Sequence, residues 1–199
     1  MTTDQASIES MEKEVMALKK KIHEARRALP PEPVKDHTLW RPDGHAVSLH
    51  ELFNGKRDLI VVHNMGRSCV YCTLWADGFV GFAGHIADRA GFVLTSPDEP
   101  DVLREFAESR GWTFPCASHA GTTFAKDLGF QPKPGENWPG ASGLRLRDDG
   151  SIVRIAKSMF GPGDDFCAIW PLLELLEGGV GKWQPKLRYG EPLVQIGKS

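Results

Sequence analysis

The sequence has no apolar run near the roughly 18 uninterrupted residues that a membrane-spanning helix needs. It also has almost no net charge. A formal charge of −2 over 199 residues gives no basis for a nucleic-acid groove or an anionic membrane as partner. Four cysteines are too few for the disulfide framework of a secreted domain. The first residues, MTTDQASIESMEKE, are acidic and polar, unlike the basic start and apolar centre of a secretory signal. Internal repeats and low-complexity stretches are lacking too. Together these absences lead us to expect a cytoplasmic chain whose thiols rest reduced.

What is present suffices for one domain and an extension. Hydrophobic residues make up 41% and charged residues 25%, close to the soluble average, so a sizeable core is within reach at this length. The sharpest chemical signal is the run LIVVHNMGRSCVYCTLWAD, residues 59–77. Leu59-Ile60-Val61-Val62 is short, β-branched and unbroken, as a strand covered on both faces should be. A polar turn follows, and Cys69-Val70-Tyr71-Cys72 then opens a stretch without Pro or Gly that can continue as helix. Strand, turn, Cys-x-x-Cys, helix places Cys69 at a helix N-terminus. Unpaired N–H groups and the helix dipole favour a thiolate there. Cys72, one turn on, is close enough to close a small disulfide ring.

The rest of the chain divides into three parts. Residues 1–33 are a heptad helix and a Pro linker, 34–180 the main domain, and 181–199 an irregular tail. In the helix, expected over 4–29, Ile8, Met11, Val15, Leu18, Ile22, Ala25 and Leu29 recur at alternating steps of three and four. Such a stripe can lie on its own domain or pair two subunits, and we expect a homodimer through it. Pro30-Pro31-Glu32-Pro33 ends it. Pro42-Asp43-Gly44 marks a turn, and Ser48 with Glu51 reads as a capping box. The Cys-x-x-Cys helix is expected to reach about Ala87. Then come a strand at 91–96, a helix at 101–110 capped by Gly111, a strand at 112–116 and a short helix at 122–128. Two strands, 143–147 and 151–156, joined at Asp148-Asp149-Gly150, and a closing helix at 166–176 complete the order. Alternating β and α predicts parallel strands with helices on their faces.

This order resembles the thioredoxin-like fold. FPCASHAGTTFAKDLGF followed by GLRLRDDGSIVRI is similar to the second half of peroxiredoxin-related proteins. More closely, the chain resembles a bacterial family of thioredoxin-like proteins of unknown function. It does so through Arg27-Ala28-Leu29-Pro30, Pro42-Asp43-Gly44 with Ser48-Leu49, LIVVHNM, SCVYCTLWAD and GWTFP, which together span most of residues 8–160. The implied fold is α/β, a central mixed β-sheet flanked by helices, with an N-terminal helical extension. The implied activity is thiol–disulfide exchange, with a peroxiredoxin-like peroxidase or a zinc-binding module as alternatives. Peroxiredoxins carry Thr three residues before the reactive Cys, where this chain has Gly66. Thioredoxins have Trp before the first Cys and Gly-Pro between the two; here Ser68 precedes, and Val70-Tyr71 intervene.

Cys69 is the expected nucleophile and Cys72 the resolving thiol. Arg67 is placed to add positive charge. His63 lies six residues before Cys69, where thioredoxins have a buried carboxylate. That offset implies a proton-transfer role for its imidazole, set against simple packing. Trp75 is read as packing or as a substrate platform. Tyr71 would meet the substrate, as would Pro139, the nearest candidate for the cis-proline that thioredoxins place before the hairpin, with Gly140 to Ser142 between it and the strand. Asp77 is expected to be a solvated or hydrogen-bonded helix residue. Cys116 and His119 would join Cys69 and Cys72 as a Cys₃His set under the zinc alternative, and Cys167 is expected in the core. The leading reading needs no metal and no cofactor. Its partners are protein or small-molecule thiols and disulfides.

Overall fold

In this computed structural model, which describes residues 4–190, the heptad segment forms helix α1 (Gln5–Ala28). Asp4 caps it by accepting the Ser7 amide at 2.8 Å. The linker is not free of the sheet, because Glu32–Val34 forms edge strand β1. Strands β2 (Thr38–Trp40) and β3 (Ala46–Ser48) make a hairpin across the Pro42-Asp43-Gly44 turn. The capping box is formed. The Ser48 amide donates to Glu51 at 2.7 Å and the Glu51 amide donates to Ser48 Oγ at 3.1 Å. It opens a single 3₁₀ turn, Glu51–Phe53. β4 (Asp58–His63) is the expected central strand.

Helix α2 (Val70–Phe79) follows, but it stops short of Ala87. A 3₁₀ turn, Val80–Phe82, separates it from α3 (Ala83–Arg89). Gly78, Gly81 and Gly84 weaken helix propagation over just this span, so the chain tightens and restarts. β5 (Gly91–Ser96) and α4 (Pro100–Arg110) come next, with Gly111 as a left-handed C-cap. The next strand, expected at 112–116, is instead β6 (Cys116–Ser118). Pro115 has no N–H to offer, so it gives only its carbonyl to Leu94, and the ladder starts after it. α5 (Phe124–Asp127), β7 (Gly140–Leu146) and β8 (Ile152–Met159) follow. The closing helix shrinks to α6 (Ile169–Leu173). Asp164 holds the Phe166 amide at 2.9 Å in a turn, and Pro171, in the first turn of α6, keeps the helix from starting as early as Phe166. Residues 183–190 contain neither helix nor strand; the remainder of the tail lies outside the described residues.

The eight strands form one sheet in the order β1-β8-β7-β4-β5-β6-β2-β3. β4, β5 and β6 are parallel; β7, β8 and the edge strands run antiparallel. This mixed sheet with helices on its faces is the arrangement the resemblance implied. Alternation along β4 sorts the core into two layers. Leu59 and Val61 face Phe124, Leu128, Phe130 and Leu144. Val62 faces Trp75 and Phe79 of α2, Leu103 of α4, and Phe114 and Phe160. Gly140 is where β7 passes closest to β8 and Phe130. A Cβ there would lie 2.4 Å from the Ser158 carbonyl, so only glycine fits. Among the described residues no helix is long and apolar enough to cross a membrane.

Candidate active site

β4 delivers the chain to the carboxyl end of the parallel strands, and the turn beyond it is fixed from three sides. The Asn64 amide donates to Thr95 O at 2.9 Å, and Asn64 Oδ1 accepts the Gly66 amide at 2.7 Å. The Arg67 amide donates to Asp98 Oδ2 at 2.8 Å. Asp98 is itself held by Ser96 Oγ at 2.7 Å, and its carbonyl accepts from Ser118 Oγ at 2.6 Å. Gly66 has φ +102°, and a Cβ on it would lie 3.3 Å from Asp98 Oδ1. The position that carries Thr in peroxiredoxins here requires a residue without a side chain.

This turn sets Cys69 as the N-cap of α2. Its sulfur accepts the Cys72 amide at 3.1 Å, as a Ser or Asp oxygen does in ordinary caps. Interaction with the neighbouring Cys72 thiol as hydrogen-bond donor does most to lower the Cys69 pKa to about 7; burial opposes it, and the Cys72 and Tyr71 amides add to the lowering. Cys72 moves the other way. Its hydrogen bond to Cys69, its burial and repulsion from a Cys69 thiolate push its pKa well up, against the Met65 amide. Cys69 is half-buried and Cys72 buried. One sulfur is therefore an accessible thiolate near neutrality and its neighbour a shielded, protonated thiol.

The other expected site residues fare differently. His63 is not a partner of either sulfur. It points to the sheet face opposite α2, stacks on Phe130 at 3.7 Å, and places Nε2 3.0 Å from Ser142 Oγ. Burial pushes its pKa well down, helped by His119, Arg154 and Lys157, so the packing reading replaces the proton-transfer one. Arg67 is exposed, and no ion pair of its guanidinium is formed among the described residues. The causes that lower Cys69 are hydrogen bonds, not this charge. Trp75 is 2% exposed and donates its indole N–H to Asp164 at 3.2 Å. It is core, not a platform. Tyr71 is half-buried, 6.3 Å from both the Trp75 and Trp170 rings. Pro139 stands beside the dithiol end of the sheet, since the next residue, Gly140, pairs with His63. Its peptide bond is trans, like every one described, and its carbonyl accepts the Phe160 amide at 3.0 Å. Asp77 takes Arg110 and the Trp112 indole, the latter at 2.9 Å.

The zinc set is not assembled. Cys116 sits in the core, where burial pushes its thiol up to about 12. Among the described residues no group of three or more His, Cys, Asp or Glu is arranged to hold a metal. Cys167 is in the core as expected. Sequence reasoning missed Asn64, Asp98 and Asp164. Asn64-x-Gly66 is a visible Asx-turn pattern; Asp98 and Asp164 reach the site from distant loops. It also missed that His37, His63 and His119 surround the Phe124 ring, at 5.3, 5.8 and 6.2 Å. Cavities of 440 and 530 Å³, sharing Arg41, Leu52, Phe114 and Pro115, lie apart from the dithiol.

A family model described as "Bacterial protein of unknown function (DUF899)" matches residues 3–183. No curated protein matches the chain. Among solved structures, the chain is similar to the peroxidoxin BcpB of Mycobacterium tuberculosis, at 23% identity and TM-score 0.53 over 65% of this chain and 84% of that one. It is similar to reduced Prx3 of Vibrio vulnificus, determined in complex with hydrogen peroxide, at 14% identity and TM-score 0.55 over 68% and 90%. A peroxiredoxin-like protein of Aquifex aeolicus matches at 11% identity and TM-score 0.51 over 65% and 74%. These likenesses establish the fold as thioredoxin-like, the fold that these solved peroxiredoxin structures have.

Proposed function

We propose that this chain, which belongs to the DUF899 family of bacterial proteins, is a thiol–disulfide oxidoreductase working through Cys69 and Cys72. The observation that carries the reading is the split between the two sulfurs. The thiolate caps α2 while its neighbour stays protonated and hydrogen-bonded to it. In the forward half-reaction, the Cys69 thiolate attacks one sulfur of a substrate disulfide. A mixed disulfide forms and the other substrate sulfur leaves as a thiolate. Cys72 then gives up its proton, to the departing thiolate or to water, and attacks Cys69 Sγ. The Cys69–Cys72 disulfide forms and the second substrate thiolate leaves. Two electrons have passed to the substrate, and a dithiol reductant resets the pair. Cys69 lines neither of the two cavities, and its partial exposure at the end of the sheet suits a bulky disulfide, such as one on a protein. Gly66, in place of Thr, argues against a peroxide pocket.

The test supplies a dithiol reductant and compares reduction of a protein disulfide with consumption of hydrogen peroxide. The reading expects disulfide reduction that is abolished in Cys69→Ser, and a trapped mixed disulfide in Cys72→Ser. Faster peroxide consumption would move the chain to a peroxidase reading, and inertness toward both substrates would end the redox assignment.

A further inference from the structure

α1 has no buried residue. Ile8, Met11, Val15, Leu18, Ile22 and Leu29 are each between 39% and 60% exposed, although their heptad spacing is that of a packing seam. The domain touches only one edge of the helix. Lys19 Nζ lies 2.6 Å from Asp165, and Arg26 Nη2 lies 3.2 Å from Ser158 Oγ. Lys19 and Arg26 are seven residues apart, so they share the edge beside the stripe. The stripe itself and its other edge, which carries Glu14 and Lys21, face outward.

We propose that a second copy of this chain covers the stripe, with the two α1 helices antiparallel. In that orientation the apolar layers match from Ile8 to Ala25, and Leu29 lies beyond the last apolar layer, level with the partner's Asp4. Ile8 meets the partner's Ala25, Met11 the partner's Ile22 and Val15 the partner's Leu18, and each contact repeats by symmetry. Charge selects the same orientation. The first half of the helix carries Glu9, Glu12 and Glu14 against Lys13; the second carries Lys19, Lys20, Lys21, Arg26 and Arg27 against Glu24. Antiparallel pairing sets Glu14 against the partner's Lys21 twice, on the edge left free by the domain. Parallel pairing would set Lys21 against the partner's Arg26, a like-charge contact.

Sedimentation and light scattering of the full chain test this across a concentration series. The expected mass is twice 22.0 kDa, falling to the single-chain value in Val15→Asp and Ile22→Asp. Glu14→Lys and Lys21→Glu should each raise the dissociation constant by about tenfold, two facing pairs having turned repulsive. An equimolar mixture of these two variants should recover the wild-type constant, because both cross pairs are then of opposite sign. These side chains point away from the domain, so helix content and the Cys69 titration should stay unchanged and serve as folding controls. A monomer at every concentration, a dimer indifferent to Val15→Asp, or a mixture no tighter than its components would overturn the proposal.

Discussion

Replacing Cys72 with alanine removes the hydrogen bond that does most to lower the Cys69 pKa, yet keeps the Cys72 amide that also points at the sulfur. A hydrogen bond to a charged acceptor contributes about 1.5–3 kcal/mol. Cys69 is only half-buried, so solvent screening reduces that to about 1.4 kcal/mol, or about one pKa unit. The midpoint should move from about 7 to about 8. At pH 7 the thiolate fraction then falls from about a half to about a tenth. The more basic thiolate is a stronger nucleophile, by about threefold per unit in disulfide exchange. Reaction with an aromatic disulfide reagent should therefore slow only about twofold at pH 7, while its high-pH plateau rises about threefold. The midpoint of the rate–pH profile is the decisive readout. Cys72→Ser keeps a donor and should lie nearer the wild type. A Cys72→Ala midpoint still near 7 would refute the thiol–thiol hydrogen bond as the main cause.

Gly66→Ala forces a side chain into φ +102° against Asp98 and should cost about 1–3 kcal/mol; an unchanged urea midpoint would contradict the geometry. His37, His63 and His119 all have lowered pKa values, chiefly through burial, with His119 at about 4. The unfolded chain takes up their protons near pH 6.5 while the folded chain does not, so stability should fall as pH drops below about 6.5, for His119 until about 4. Each histidine contributes a slope of up to about 1.4 kcal/mol per pH unit; a flat urea midpoint between pH 7 and 5 would contradict their neutral burial. Asp164→Ala leaves the Trp75 indole N–H and the Gly161 and Phe166 amides without their acceptor. It should cost about 1–3 kcal/mol, read as a lowered melting temperature; an unshifted melt would contradict that role.

The sequence carried the local features well. Leu59–Val62, Gly111, the Ser48–Glu51 box and the Cys-x-x-Cys junction each depend on neighbours a few residues away, and each formed as expected. Boundaries shifted where proline or glycine acted against propensity, at Pro115, Pro171 and the Gly78–Gly84 run. The site was legible as a pair of sulfurs and not as an environment. His63 has the right offset from Cys69, but strand alternation sends its side chain to the other layer. Asp98 and Asp164 arrive from segments 31 and 89 residues away from the groups they hold, a proximity that only the completed fold creates. The apolar stripe of α1 was plain from its spacing; that the domain would cover only the Lys19–Arg26 edge was not.

Equilibration of the protein with a graded series of glutathione redox buffers, followed by acid quenching and non-reducing peptide mapping, tests the dithiol account most directly. The account predicts a single reversible intramolecular bond between Cys69 and Cys72, with Cys116 and Cys167 unmodified throughout. A Cys69–Cys72 pair that stays reduced under oxidising buffer, or one that bonds instead to Cys116 or Cys167, would contradict it.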